Sequence, residues 1–293
     1  MHFTGTIWRP PYEAGSDLLQ VTSGCTHHRC RFCTLYPNSF RLSPMEEIAS
    51  DIDELAHVQP YARRVWLTGA HPFGIGEGHL MPVLSMIRDR LPKVESIGGF
   101  VRIGDLRHKT DADLVRWASL GVDGLTIGVE SGDDAALDFM DKGHRAADII
   151  EQCGRLDNVG IGYHFFYLVG MAGHGHCVAA ARASADVFNN THPRTIGALS
   201  MTLFPESRLA KDVNRGSFKL ASELELIEEI RELIAYLKVE TIFSTAHVSD
   251  TVHVHGRLPR DRAPILAELD EAIHAARGRE ESLREYRRAI TSL

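Results

Sequence analysis

Three of the chain's five cysteines fall within the nine residues CTHHRCRFC, at Cys25, Cys30 and Cys33, with His27 and His28 between them. The spacing C-x4-C-x2-C is short enough for one loop to wrap a single metal centre. Soft thiolates select zinc or an iron–sulfur cluster among the common biological metals. A structural zinc site takes four protein ligands, and His27 or His28 could supply the fourth. Both, however, lie inside the same short loop, and no second C-x2-C or H-x3-H knuckle occurs to complete a zinc module. A [4Fe–4S] cluster held by three cysteines leaves one iron open to an outside ligand, which makes the absent fourth thiol the functional feature. Cys153 and Cys177 sit in helical patterns and read as small buried apolar residues.

Other polar residues stand where chain direction changes. Glu130 lies between Val129 and the loop residues Ser131 and Gly132, a junction at which a carboxylate can accept bonds from vicinal hydroxyls. Arg102 ends the run GGFVR, where a fork-shaped cation could hold a carboxylate. Gly69, Gly128 and Gly170 permit close backbone approach to a ligand. His164 lies inside an apolar run whose alternate side chains should face an interior, and a polar group there points to a substrate or cofactor contact. His247, Asp250, His253 and His255, in STAHVSDTVHVHG, read as a cap that binds substrate, as a metal site of alternating histidines, or as an edge strand with polar residues facing water.

The elements that must position these groups follow a regular alternation. LLQVTSG is a strand, followed by the helix SPMEEIASDIDELAHV with Ser43 at its N-cap and Pro44 at its first position. RRVWLTG pairs with the helix HLMPVLSMIRDRL, whose Pro82 must sit in the first turn. VESIGGFVRI pairs with DADLVRWASLG, which Gly121 terminates. DGLTIGVESG pairs with DAALDFMDKGHRAADIIEQCGRL, GIGYHFFYLVG with CVAAARASADVFNN, and TIGALSMTLFP with SELELIEEIRELIAYL. About six β–α units without a hairpin turn predict a parallel sheet with helical crossovers, a full or partial (β/α) barrel of the TIM type. In such barrels functional groups collect where strands end and the following loops begin, which is where the cysteine loop falls. The expected organisation is an N-terminal extension over 1–17, an α/β partial (β/α)6-type barrel over 18–240, and a C-terminal helical or irregular extension over 241–293 that caps the barrel and ends in a charged helix.

Composition narrows the function classes. The 293 residues are 44% hydrophobic and 24% charged, as in ordinary globular proteins, and no stretch approaches the ~18 apolar residues of a membrane span. The N-terminal MHFTGTIWRPPYEAG has neither the basic start nor the apolar core of a secretion signal, so a cytoplasmic location is expected. Clustered thiols and an odd cysteine count then favour metal or redox chemistry over disulfides. A net charge of −7 argues against a broad phosphate-binding surface, so a small or medium substrate is expected and nucleic acid is not.

The segment GCTHHRCRFCTLY resembles the radical S-adenosylmethionine (SAM) enzymes, in a branch with the pattern G-C-x4-C-x-F-C-x-x-Y rather than the family's usual C-x3-C-x2-C. TGAHPF lies where that family has a Gly-rich motif contacting the SAM amino group, although Ala70 and His71 stand where an acid is usual. IGVESG resembles the strand end whose Glu meets the ribose hydroxyls, and YLVGMAG the backbone segment around adenine. GALSMTLFPESRL and GRLPRDRAPILAELDEAI also resemble later segments, so the likeness runs to about residue 276. The resemblance implies a [4Fe–4S] cluster on Cys25, Cys30 and Cys33, with the open iron chelated by SAM. Gly69, Ala70, Arg102, Glu130, Ser131, His164 and Gly170 are then the cofactor-binding candidates. It further implies reductive cleavage of SAM to a 5′-deoxyadenosyl radical, an electron donor such as flavodoxin or ferredoxin, and oxygen sensitivity. Transfer of a methyl or aminocarboxypropyl group after a different C–S cleavage, an iron–sulfur redox or sensor protein without catalysis, and a zinc-stabilised barrel are the alternatives.

Overall fold

The computed structural model describes residues 1–290. Its strands are β1 (Asp17–Gln20), β2 (Thr22–Ser23), β3 (Arg41–Leu42), β4 (Arg64–Thr68), β5 (Ser96–Val101), β6 (Leu125–Glu130), β7 (Tyr163–Val169), β8 (Thr195–Ser200), β9 (Thr241–Ser244) and β10 (His255–Leu258). The 8-stranded sheet has the order β1-β4-β5-β6-β7-β8-β9-β10, and β2 and β3 form a separate pair. β1 with β4, β4 with β5, β5 with β6, β7 with β8 and β8 with β9 pair in parallel, and β9 with β10 antiparallel. This is the α/β architecture of a partial TIM barrel, followed by C-terminal helices. It has two strands beyond the six expected, since β9 and β10 of the 241–258 region join the sheet.

The chain divides into two compact units. The first comprises Met1–His28, Leu35–Gly128 and Arg155–Tyr163. Here α1 (Met45–Val58) buries Ile48, Ile52 and Leu55, one apolar stripe at helical spacing. Its N-cap is Pro44 rather than Ser43, whose amide is already taken by the Val21 carbonyl at 3.0 Å. Helix α2 (Glu77–Arg90) starts two residues earlier than expected, so Pro82 lies inside it rather than in its first turn. Then come α3 (Ile103–Leu106) and α4 (Asp111–Ser119), the latter with a capping box between Thr110 and Asp113 and Gly121 at φ +82° beyond its end. At the amino ends of the strands, Arg64 makes two bonds to buried Glu13 at 2.6 and 2.7 Å and reaches the Asp123 and Gly124 carbonyls. A Cβ on Gly98 would lie 2.3 Å from the Arg64 guanidinium, so a side chain there would displace it.

The second unit comprises Arg29–Thr34, Val129–Gly154 and the chain from His164 onward. Strand β7 alternates strictly, with Phe165, Tyr167 and Val169 buried and His164, Phe166 and Leu168 half-buried on the other face. The buried set packs under α7 (Cys177–Phe188), with Phe165 and Tyr167 at 5.2 and 5.9 Å from the Phe188 ring. The stretch expected as one helix from Asp134 is two: α5 (Asp134–Phe139) and α6 (Ala146–Val159). Asp141 and Gly143, at φ +60° and +78°, turn the chain between them. After α8 (Arg208–Asn214), α9 (Glu223–Tyr236) opens with a capping box between Ser222 and Glu225. Helices α10 (Arg262–Ala276) and α11 (Glu280–Arg288) close the described chain; the last three residues of the expected extension lie outside it.

Candidate active site

In the first unit the cysteine loop leaves β2 through Gly24, at φ +71°, where a Cβ would stand 2.6 Å from the Ser39 carbonyl oxygen. The next residues meet the end of β4. His71 Nε2 accepts from the Thr26 amide at 3.1 Å and lies 2.9 Å from the Thr26 hydroxyl. The other ring nitrogen, Nδ1, faces Asp105 Oδ2 at 3.5 Å. Phe40 stacks on the same ring at 5.9 Å. Burial disfavours the Cys25 thiolate, but the His71 side chain and backbone bonds from His28 and His27 outweigh it and bring the thiol down to about 7. Arg102, at the end of β5, lies 3.5 Å from the other Asp105 oxygen. Gly69 adopts φ +124° against Thr22, whose hydroxyl is 2.0 Å from where a Cβ would stand, and Ala70 is half-buried beside it. Cys25, Gly69, Ala70, Arg102 and the overlooked His71 and Asp105 therefore belong to one neighbourhood at strand ends.

In the second unit, Cys30 is half-buried and Cys33 exposed, joined by a turn from the Cys33 amide to the Cys30 carbonyl at 3.2 Å. The residues between them are fastened firmly. Arg31 donates its amide to Met140, accepts from the Leu209 amide, pairs with Asp212 at 2.9 Å and lies 5.0 Å over Phe139. Phe32 packs against the cluster of Ala136, Leu137, Met140, Met171, Met201 and Leu209. These contacts hold the backbone between the two thiols.

Glu130 ends β6 at φ +63°, a left-handed conformation that costs a non-glycine residue about 1–2 kcal/mol. The surroundings impose it. Lys142 Nζ donates to Glu130 Oε1 at 3.0 Å, the Ser131 amide bonds back to Val129, and the Gly132 amide donates to Ser184 Oγ at 2.7 Å. His144 contacts the Val129 carbonyl at 3.3 Å. Lys142 and His144 reach Glu130 and its neighbour only because the chain breaks at 140–145; Gly143 directly after Lys142 was the available signal.

Gly170 follows β7 at φ +85°, with its amide bound to Glu229. His164 belongs to the half-buried face of β7 that α7 does not cover. Of the 247–255 group, Asp250 is buried and occupied: its Oδ1 accepts from the Ser200 amide and hydroxyl at 2.8 and 2.9 Å, and its Oδ2 from the His247 amide at 3.0 Å. His253 and His255 are exposed, as in the edge-strand reading. Among the described residues no three His, Cys, Asp or Glu side chains converge on one ion. A cubane does not require convergence, since each thiolate holds a separate iron, whereas a single zinc does. Three thiols on one loop, none in a disulfide and one shifted toward thiolate, fit a cluster.

Residues 19–177 match the profile of the Radical SAM superfamily. Among solved structures, the chain is similar to the radical S-adenosylmethionine methyltransferase TsrM from Kitasatospora setae with cobalamin and a [4Fe–4S] cluster bound (TM-score 0.57, 17% identity, 69% of this chain and 37% of that one). It is similar also to coproporphyrinogen III oxidase (HemN) from Escherichia coli (0.56, 13%, 75% and 51%) and to methylornithine synthase, PylB (0.53, 13%, 88% and 81%). At such identities the likeness is one of fold. The chain spans 37% of the TsrM chain and 63% of the archaeal Elp3 chain from Methanocaldococcus infernus, less than two thirds of either. A search among curated proteins gave no match. With the profile covering more than half of its length, the chain belongs to the radical SAM superfamily, whose enzymes use a [4Fe–4S] cluster and SAM.

Proposed function

We propose that this chain is a reductive SAM-cleaving enzyme that starts radical chemistry on an unreactive carbon of a small or medium substrate, with Cys25, Cys30 and Cys33 as the cluster ligands. When bound and reduced by a donor such as flavodoxin or ferredoxin, the cluster and SAM supply hydrogen-atom abstraction. The protein's own residues place and shield that chemistry. Glu130, aimed by its left-handed backbone and held by Lys142, accepts from the ribose hydroxyls, with Ser131 beside it. Gly69 and Ala70 offer backbone carbonyls to the amino group, and Arg102, steadied by Asp105, faces the carboxylate. Gly170 brings backbone to the nucleobase, and His164 lines the substrate side.

The observation that carries this reading is the set of three reduced thiols on one short loop, with Cys25 shifted toward thiolate. Anaerobic reconstitution with iron and sulfide, followed by dithionite and SAM, tests it. Wild type should bind the cluster's full iron and release 5′-deoxyadenosine; Cys30→Ala should lose both properties. A Cys30→Ala protein with undiminished iron and SAM cleavage would refute the ligand assignment. A methylthioadenosine or S-adenosylhomocysteine product would instead establish aminocarboxypropyl or methyl transfer.

A further inference from the structure

Helix α9 reaches the loop after β7 twice. Glu229 is 1% exposed; its Oε2 accepts from the Gly170 amide at 2.8 Å and its Oε1 from the Tyr167 hydroxyl at 2.5 Å. One turn earlier, Glu225 accepts from the Gly175 amide at 2.5 Å and lies 2.8 Å from His174 Nδ1. Residues four apart share a helix face, so one face of α9 ties down both ends of the 170–175 loop. Glu225 is itself fixed by the capping box with Ser222.

The loop needs such fastening. Gly170, Gly173 and Gly175 all adopt left-handed backbone, at φ +85°, +79° and +81°, and glycine at three of six positions gives the unrestrained segment a wide choice of shapes. No side chain at position 170 could do the work instead, since a Cβ there would stand 2.5 Å from Leu226. For packing α9 against β7, a Met or Leu would fill the volume of Glu229 without the penalty of burying a carboxylate. What the carboxylate adds is a pair of acceptors, one for the Gly170 amide and one for the Tyr167 hydroxyl.

We propose that Glu229, supported by Glu225, is a positioning residue for SAM: it presets the 170–175 backbone in the shape that receives the nucleoside, so that binding does not have to order it. This rests on the reading that the Gly170 loop borders SAM. Cluster-loaded, anaerobic protein is titrated with SAM for wild type, Glu229→Met, Glu229→Gln and Tyr167→Phe, with melting temperatures measured in parallel. Glu229→Met should weaken SAM binding about tenfold or more. Glu229→Gln, which keeps an oxygen for the Gly170 amide, should stay within about threefold. Tyr167→Phe removes the other bond to Glu229 and should lower the melting temperature while leaving SAM affinity within the same margin. In wild type, SAM should slow hydrogen exchange across 170–175 only modestly, because the loop is already ordered; this holds the test even if Glu229→Met fails to fold. SAM affinity that tracks melting temperature across all variants, or a loop that is fully exchanging until SAM arrives, would overturn the proposal. Wild type that binds no SAM at all would overturn both it and the cofactor reading, whereas normal SAM binding by Glu229→Met would overturn this proposal alone.

Discussion

Glu130 and Lys142 form a partly buried pair whose side chains are 15% and 8% exposed, and the pair holds a backbone shape that glutamate does not choose unaided. Removing the ammonium leaves the carboxylate without its nearest compensating charge. Lys142→Met is expected to cost about 1–3 kcal/mol of stability, read from urea denaturation, and to weaken SAM binding at least about tenfold because Glu130 loses its aim. His71 offers a second check. With Cys25 at about 7, near half of it is thiolate at neutral pH in the cluster-free protein, and its alkylation should slow as pH falls below that value. His71→Ala removes the strongest lowering influence, so the thiol should return toward its usual range and react about tenfold more slowly at pH 7. Peptide mapping after brief iodoacetamide treatment would measure this. An unchanged rate would mean that the backbone amides alone depress the thiol.

Among the elements, α9 couples the fold to pH. Burial raises the Glu229 carboxyl from 4.5 to about 7, against bonds from Tyr167, Cys177 and the Gly170 amide that favour the charged form, while Glu225 raises it further. The native state thus holds a proton that the unfolded chain has released. Its contribution is fully present below pH 4.5 and is lost as pH rises through about 7. Over that window wild type should lose roughly 3 kcal/mol relative to Glu229→Gln, in paired denaturant titrations at pH 5 and pH 8. Helix α11 makes a different dependence visible. It buries no residue, and its Arg287 alone makes two bonds to the carboxylate of buried Glu223 at 2.6 and 2.7 Å, and others to the Ser249 carbonyl and Thr251 hydroxyl. Arg287→Met should release the helix, seen as fast hydrogen exchange over 280–288, and should cost roughly 3 kcal/mol by stranding Glu223. The sequence did not disclose this inward side chain, because periodicity reports faces and not single partners.

Over the whole molecule, the alternation of apolar runs and amphipathic stretches was enough to give the parallel architecture, since each strand and helix obeyed its own period. The likeness of GCTHHRCRFCTLY to the radical SAM pattern was enough to give the family. What stayed hidden depended on long-range partners: the break that delivers Lys142, the imidazole set against Cys25, and the carboxylates of α9. Each is a common residue in an unremarkable local context, made special only by what folding places beside it. Cluster binding should add to the stability of the whole, because the native chain alone assembles the ligands; reconstituted protein should melt at a higher temperature than the cluster-free form, and chelation should reverse the gain. The final pairing, β9 with β10, has a consequence for life in a crowded solution. An open sheet ends in a raw border of amides and carbonyls that a neighbouring molecule could extend. Here the border at β10 is only four residues long, turns His255 and Arg257 outward and meets Pro259, so this edge is a poor template for strand-by-strand polymerisation.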